Sequence, residues 1–190
     1  GIFCLLWGRH RVACSVKTLG TSSDPPAGED GGISEGSQEI MRTLIREDLE
    51  AARDRLESLT APQRLAWAVE HFGDGFALTT SFGIQSSVLL HMLSRLPTGH
   101  SVPVIWVDTG YLPPETYQYS EQLIELFDVR LVVAQSSISP ARMEALHGRL
   151  WETGDVVDLE TYHRIRKVEP LEQAMADHGV TCWASGVRSS

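Results

Sequence analysis

Apolar residues recur at two different spacings along the chain, and these spacings predict where helices and strands lie. One amphipathic helix is predicted from Thr43 by apolar residues at helical spacing, which are Ile45, Leu49, Ala52 and Leu56. A second helix follows, because Thr60 is a favourable N-cap, Pro62 suits a first turn and Gly73 suits a helix end. The chain therefore enters its main domain through N-terminal helices.

After Gly73 the pattern changes to short apolar runs separated by helical segments. Four strands are predicted, over residues 76–80, 102–107, 129–133 and 180–184. Helices are predicted over residues 86–96, 114–127 and 168–178, and a further helix follows Ser139 as its cap, with Pro140 at its first position. Strands that alternate with helices predict an α/β domain with a parallel sheet and helices on both faces.

Residues 1–40 differ from the rest of the chain. They combine a basic first half with a stretch rich in Ser, Gly, Pro, Asp and Glu that has no periodicity, so we interpret them as a disordered leader. The arginines follow the apolar residues, which is the reverse of a secretory signal. Met41 opens the patterned region, and we assign residues 41–190 to one domain.

Charge and cysteine usage narrow the possible functions. A net charge of −9 argues against a general nucleic-acid binder, and no apolar run reaches the roughly 18 to 20 residues of a membrane-spanning helix. The cysteines, Cys4, Cys14 and Cys182, lie far apart and suggest neither a disulfide framework nor a metal site. A reducing compartment fits this usage best.

The loop of residues 81–87 follows the first predicted parallel strand and precedes a helix. Ligands of open parallel sheets bind at this end of the strands, and the start of a helix favours anions. Gly83 would allow close approach, and the hydroxyls of Ser81, Ser86 and Ser87 can donate to anion oxygens. The alternative is a plain helix cap without a ligand.

This loop, SFGIQSSV, resembles the PP-loop of the PAPS reductases, a family of sulfonucleotide reductases. Four further segments resemble that family's motifs in the same order: DTGYL with PETY from Asp108, EA with LWE from Glu144, KVEPL from Lys167 and WASGVR from Trp183. The resemblance runs from about Leu49 to Ser190. It implies a PP-loop fold of the adenine nucleotide hydrolase type.

The resemblance also implies a reaction. A cysteine attacks the sulfur of 3′-phosphoadenylyl sulfate (PAPS), adenosine 3′,5′-bisphosphate leaves, and thioredoxin cleaves the S-sulfocysteine to give sulfite. The family's cysteine lies in a C-terminal segment that has no counterpart up to Ser190, so we expect this chain to bind nucleotide without reducing it. A cytoplasmic homodimer is expected.

The resemblance assigns site residues by their matched positions. The expected substrate-binding residues are Ser81, Gly83, Gln85, Ser86, Ser87, Asp108, Thr109, Gly110, Tyr111, Lys167, Gly186 and Arg188. Asp108 has a simpler alternative role as a turn cap. Arg164 and Arg166 are weaker candidates for anion contact, and Glu169 is expected to orient Lys167 or a backbone group.

Other polar and aromatic residues are left outside the site. Trp151, Tyr162 and Trp183 are interpreted as core residues, and no histidine has a spacing that suggests metal binding or acid–base work. The related APS reductases carry an iron-sulfur cluster on a Cys-Cys pair where this chain has Tyr162 and His163, so no cluster is expected and PAPS is favoured over APS.

The chain departs from the family motifs at two positions, and three alternative functions remain open. Pro113 replaces an aromatic residue of the family pattern, and Ser189 follows Arg188 where a second arginine is usual. The alternatives are an APS reductase, another PP-loop enzyme that adenylates its substrate, and a non-catalytic nucleotide-binding remnant. Gln85 stands where the adenylating enzymes tend to have an aspartate.

Overall fold

The structure, a computed structural model, describes residues 11–15 and 55–187. Its strands are β1 (Arg11–Ser15), β2 (Phe76–Thr80), β3 (Val104–Asp108), β4 (Leu131–Gln135) and β5 (Cys182–Val187). Its helices are α1 (Ala61–Phe72), α2 (Ser86–Ser94), α3 (Pro114–Phe127), α4 (Pro140–His147), α5 (Val156–His163) and α6 (Glu169–Asp177). Residues 164–168, which we call the π segment, join α5 to α6 as a π-helical turn.

The five strands form one sheet in the order β1-β5-β2-β3-β4. Strands β5, β2, β3 and β4 run parallel, and β1 pairs antiparallel with β5 at one edge. The chain leaves β2 towards β3 on one side and returns through β5 on the other side, so the strand order reverses beside β2. In open parallel sheets such a reversal opens a crevice at the carboxyl ends of the strands.

Apolar side chains pack on both faces of the sheet, as the sequence predicts. One face carries α1, α2 and α3, whose leucines and Val69 pack against Phe76, Leu78 and Val104. The other face carries α6, where Ala174 and Met175 pack against Ala77 and Ile105. Right-handed crossovers in opposite directions from β2 place the connecting helices on opposite faces.

Local sequence signals locate three helices well. Helix α1 begins after Thr60, whose backbone N–H donates to Gln63 Oε1 at 2.9 Å, and it ends at Gly73 with φ of +50°. Helix α3 has the predicted bounds, Pro114–Phe127. Helix α4 follows Ser139, whose Oγ accepts a hydrogen bond from the Arg142 backbone N–H at 3.2 Å. Strand β2 also has the predicted bounds, and the other predicted boundaries differ from the observed ones by at most three residues.

Helix α5 and the π segment are not predicted by the sequence. The π turn contains one more residue than an α turn, so apolar residues before and after it fall out of helical phase. Pro170 contributes to the widening, since it has no N–H to donate back to the carbonyl four residues earlier. The predicted helix from Val168 therefore begins at Glu169 and is preceded by another helix.

The N-terminal predictions are only partly covered by the structure. Residues 11–15 form an edge strand where the sequence suggests a disordered leader. Pairing with the open edge of β5 satisfies backbone groups, and apolar periodicity does not reveal such pairing. The rest of the leader and the helix predicted from Thr43 up to residue 54 lie outside the described residues. Residues 55–57 are helical, and Leu56 is buried.

Cys182 is fully buried in β5, as the sequence suggests, and it is disulfide-bonded. The bond differs from the expectation that the cysteines form no disulfide. Spacing along the chain does not show which cysteines a sheet brings within the 4.4–6.8 Å of Cα separation that a disulfide needs. Among the residues that the structure describes, no helix has the length and apolar character needed to cross a membrane.

Candidate functional site

A crevice of about 440 Å³ lies at the carboxyl ends of β2, β3 and β5. Six hydroxyl-bearing residues line it: Thr79, Thr80, Ser81, Ser86, Thr109 and Ser185. Its apolar wall includes Leu78, Leu89, Ile105, Val107, Leu112 and Leu171. Trp106, Val168, Lys167 and Gly186 also line it, and Lys167 is the one cation that the described residues contribute to the lining.

The loop between β2 and α2 places two of the predicted hydroxyls at this crevice. The Ser86 backbone N–H donates to the Gly83 carbonyl at 2.8 Å, which turns the chain into α2. Ser86, the first residue of α2, lines the crevice, so this end of the helix brings about half a positive charge close to it. Together with Ser81 and Ser86, this end of the helix is suited to an anion.

Phe82, which is not among the predicted site residues, fixes the shape of this loop. Its backbone has φ of +49°, which is unusual for a bulky residue, and its N–H donates to Thr80 Oγ1 at 3.0 Å. The ring is buried edge-on against Trp106, with 5.0 Å between the ring centroids. Packing of this ring thus compensates for the backbone strain. Its signal in the sequence is an aromatic residue inside a loop of small polar residues.

Three other predicted loop residues do not line the crevice. Gly83 and Gln85 are exposed, and Gln85 occupies the N-cap of α2 without a side-chain capping bond. Ser87 Oγ donates to the Ile84 carbonyl at 3.1 Å, within the first turn of the helix. Gly83 has a negative φ, so the left-handed residue of this loop is Phe82.

Asp108, at the end of β3, joins three neighbouring segments. Its Oδ1 accepts hydrogen bonds from the Gly110 N–H at 2.8 Å and the Tyr117 hydroxyl at 2.7 Å, and its Oδ2 accepts one from Gln135 Nε2 at 2.7 Å. Burial raises the pKa of Asp108, but these hydrogen bonds and the nearby charge of Arg166 outweigh it and lower the pKa. Asp108 does not line the crevice and acts as the turn cap that the simpler reading suggests.

The residues after Asp108 divide between the crevice and the surrounding structure. Thr109 is buried and lines the crevice. Gly110 has φ of +75°, and a Cβ there would lie 2.6 Å from Pro140 Cγ. Tyr111 turns away from the crevice, and its hydroxyl donates to Glu144 Oε1 at 2.9 Å. Burial, and then the Glu144 carboxylate, raise the pKa of Tyr111 to about 12.

Arg166, a weaker candidate for anion contact, is buried and does not line the crevice. Its Nε donates to the Thr109 carbonyl at 2.8 Å, Nη2 donates to the same carbonyl, and Nη1 donates to the Ile138 carbonyl. Its guanidinium carbon lies 5.6 Å from the centroid of the Tyr111 ring. The side chain thus joins the π segment to the ends of β3 and β4.

The neighbouring charged residues separate into two groups. Lys167 is exposed and lines the crevice, as predicted. Arg164 Nη1 forms an exposed ion pair with Glu169 Oε1 at 2.8 Å, away from the lining. The expectation that Glu169 orients Lys167 or a backbone group is therefore replaced by this pair. Lys167 and Val168 of the π segment line the crevice, whereas Arg166 does not.

The aromatic residues near Tyr111 form a cluster outside the crevice. The Trp151 ring centroid lies 4.5 Å from that of Tyr111 and 5.3 Å from that of Tyr162. Trp183 packs against the α6 side of the sheet. These positions agree with the interpretation of Trp151, Tyr162 and Trp183 as packing residues. Within the described ranges, no group of three His, Cys, Asp or Glu side chains is placed to hold a metal ion.

The structure thus brings Ser81, Ser86, Thr109, Lys167 and Gly186 to one crevice. Arg188 lies outside the described residues. Thr79, Thr80 and Ser185 also line the crevice but are not predicted by the sequence; they lie on β2 and β5, and Thr79 pairs with Ser185. Their signal is a run of hydroxyl-bearing residues at the carboxyl ends of neighbouring strands.

Comparison with known proteins adds an independent finding. A family model described as the phosphoadenosine phosphosulfate reductase domain matches residues 75–190. A Synechocystis protein named phosphoadenosine 5′-phosphosulfate reductase is 47% identical over 149 residues, which are 78% of this chain and 59% of the relative. A Synechococcus protein of the same name is 51% identical over 134 residues, covering 70% of this chain and 57% of the relative.

A solved structure is similar as well. A phosphoadenylyl-sulfate (PAPS) reductase from Candida auris, in a phosphate complex, superposes with a TM-score of 0.60 at 26% identity. The match covers 86% of this chain and 72% of that one. The chain spans less than two thirds of the length of the curated relatives that it matches.

Proposed function

The chain belongs to the phosphoadenosine phosphosulfate reductase domain family, and on that premise we propose that its crevice binds PAPS for reduction to sulfite. The observation that supports this most directly is that Ser81, Ser86 and Lys167 line one crevice, with Ser86 at the start of α2. Hydroxyls, helix N–H groups and an ammonium are the donors that phosphate and sulfate groups require. The apolar wall beside them suits the purine.

The proposed chemistry is a thiol-dependent two-electron reduction. A cysteine thiolate attacks the sulfur of PAPS, the bond from sulfur to the phosphate oxygen breaks, and adenosine 3′,5′-bisphosphate leaves. The dithiol of thioredoxin then supplies two electrons, releases sulfite from the S-sulfocysteine and becomes a disulfide. Cys182 does not fit the nucleophile, because it is buried in the sheet and disulfide-bonded. The described residues therefore take the nucleotide-binding part of this reaction.

We propose PAPS over APS as the substrate, with no iron-sulfur cluster. Tyr162 and His163 occupy the positions of the cluster-binding cysteines, and Tyr162 packs against Trp151. Titration of the chain with PAPS and with APS at one ionic strength tests this preference. We expect PAPS to bind at least about tenfold more tightly, since a second phosphate adds charge-assisted contacts. Equal affinities would remove the preference.

Binding should depend on the cation at the crevice. We expect Lys167→Gln to weaken PAPS binding and to reduce its sensitivity to salt, because screening acts on the charge pair that is lost. Arg164→Gln is the matched control, since Arg164 is exposed, paired with Glu169 and away from the lining. An equal effect of both substitutions would mean that the anion sits elsewhere.

Activity separates the proposed reductase from its alternatives. The protein isolated from its natural source should release sulfite from PAPS with reduced thioredoxin. Exchange of pyrophosphate into ATP would favour a PP-loop adenylating enzyme, and PAPS binding without sulfite release would favour a non-catalytic remnant. Sedimentation would test the proposed homodimer.

A cytoplasmic location is also part of the proposal. Disulfides are rare in that reducing compartment, whereas Cys182 is disulfide-bonded in the structure. A thiol count on protein isolated with thiols blocked at lysis decides between these states. A free Cys182 thiol would agree with a reducing compartment, and a disulfide at Cys182 would place the protein in an oxidising one.

A further inference from the structure

The buried side chain of Arg166 does not line the crevice, but it connects two residues that do. It is 2% exposed, and its guanidinium donates to the carbonyls of Thr109 and Ile138. Thr109 and Lys167 both line the crevice. Thr109 accepts hydrogen bonds from Arg166, and Lys167 follows Arg166 in the chain. Any displacement of the guanidinium therefore acts on both crevice residues.

Burial of this charge is tolerated because its surroundings compensate for lost hydration. The guanidinium donates to two backbone carbonyls, faces the Tyr111 ring at 5.6 Å and lies close enough to Asp108 to lower the pKa of that carboxyl. A planar group with five donors in a fixed geometry suits this task better than a point charge on a flexible stem. Lysine at this position could keep the charge but could not hold both carbonyls.

The backbone around Arg166 shows how narrowly it is placed. A Cβ at Gly110 would lie 3.0 Å from Arg166 Nη2, so the turn after β3 has no room for a side chain. The π segment widens the helix at this point, which lets Arg166 point inward while Lys167, the next residue, stays exposed at the crevice. The widened turn thus divides two adjacent cations between the interior and the crevice.

We propose that Arg166 is a positioning residue of the nucleotide site, which sets the places of Thr109 and Lys167 and does not touch the ligand. The binding readouts rest on the proposed function, whereas the position of Lys167 can be measured without a ligand. A purely structural role would lower stability without coupling to Lys167.

A double-mutant cycle on the 190-residue chain tests the coupling, with PAPS as the probe. We expect Arg166→Lys to weaken PAPS binding about tenfold when Lys167 is present, and less than twofold in the Lys167→Gln background. Equal losses in both backgrounds, or no loss in either, would overturn the proposal. Arg166→Lys keeps the charge and can still donate to one carbonyl, so it preserves folding better than a neutral substitution.

A matched control separates positioning from stability. Arg130 Nη1 also donates to a backbone carbonyl, that of Ser101 at 2.7 Å, but it lies before β4 at the opposite end of the sheet. We expect Arg130→Gln to leave PAPS affinity unchanged, whatever it does to the melting temperature. If Arg130→Gln weakened binding as much as Arg166→Lys does, the effect would be one of general stability and the proposal would fail.

A ligand-free readout distinguishes failure of this proposal from failure of the proposed function. Lys17 and Lys167 are the two lysines of the chain, so biosynthetic labelling with ¹³Cε-lysine gives two assignable NMR signals, with Lys17→Arg as the assignment control. We expect Arg166→Gln to shift the Lys167 signal. If that signal stayed in place, positioning would be excluded; if wild-type chain bound no PAPS while the signal shifted, the substrate would be wrong and the positioning right.

Discussion

The Tyr117 hydroxyl donates a 2.7 Å hydrogen bond to the Asp108 carboxylate, nine residues earlier in the chain. Burial, and then this carboxylate, raise the pKa of Tyr117 to about 12, so the phenol remains a donor across the physiological range. The bond fixes α3 to the carboxyl end of β3. Since Thr109 follows Asp108 directly, the same bond fixes one wall of the crevice.

The stability of the protein should depend on the charge of Asp108. Its pKa is lowered from the ordinary value of 3.8, so the folded state binds this proton less tightly than the unfolded state does. The stabilisation is complete above about pH 4 and is lost as the pH falls through the folded pKa. We expect Asp108→Asn to lower the free energy of unfolding by about 2 kcal/mol at pH 7 and by less at pH 3. Urea unfolding across this range measures both values.

Asp128→Asn is the control for this substitution. Asp128 is exposed and ends α3 in the left-handed conformation, which asparagine adopts as readily as aspartate. We expect its free energy of unfolding to stay close to that of the wild type at both pH values. A pH dependence unchanged by Asp108→Asn would assign the acid sensitivity to other carboxylates.

Replacement of Gly110 by alanine should destabilise the protein more than the same replacement at Gly154, which has the same backbone conformation. Gly110 and Gly154 both have φ of +75°, but no described atom lies within 4 Å of a Cβ built at Gly154. Gly154→Ala therefore measures the backbone strain alone, which is about 1 kcal/mol. We expect Gly110→Ala to cost at least about 1 kcal/mol more, because its Cβ meets Pro140 and Arg166. Equal melting temperatures for the two variants would contradict the crowding.

Trp106 should be replaceable by phenylalanine at little cost in stability. Its indole N–H is buried without a hydrogen-bond partner among the described residues. Removal of this donor relieves a desolvation penalty that offsets the lost ring volume. We expect Trp106→Phe to change the free energy of unfolding by less than about 1 kcal/mol. Tyr117→Phe, which loses a real hydrogen bond, should cost about 1 to 2 kcal/mol in the same assay.

Ser86 should contribute to anion binding, on the proposed function. Its side chain lines the crevice at the first turn of α2. We expect Ser86→Ala to weaken PAPS binding about three- to tenfold, since one hydroxyl donor is lost. Ser94→Ala is the control, because Ser94 Oγ donates to the His91 carbonyl at 2.9 Å at the other end of the same helix. A similar loss in both variants would indicate a change in the helix and not in the site.

The parts of the fold that follow from local signals could be predicted from the sequence. Thr60 and Gly73 delimit α1 because capping depends on a few adjacent residues, and the residues of β2 form a buried apolar run. The parallel sheet follows from the alternation of such elements. Local signals also place Ser81 and Ser86 at the end of a strand, where anions bind.

The remaining features depend on contacts between distant segments. Arg166 is buried because it finds carbonyls 57 and 28 residues earlier in the chain, and no pattern around Arg166 shows this. Phe82 adopts a left-handed backbone because Trp106 accepts its ring, which again is a tertiary contact. The roles of Asp108 and Arg166 were thus less visible than the hydroxyls of the loop.

The π segment has a consequence for the spacing of residues in this part of the chain. A π turn amounts to one residue inserted into a helix, and one residue corresponds to a rotation of about 100° about the helix axis. Deletion of a single residue between Arg164 and Val168 would restore an ordinary helix at the cost of that rotation. Either α6 would turn its Ala174 and Met175 away from the sheet, or Lys167 would leave the crevice. The number of residues in the π segment is therefore constrained as strongly as their type.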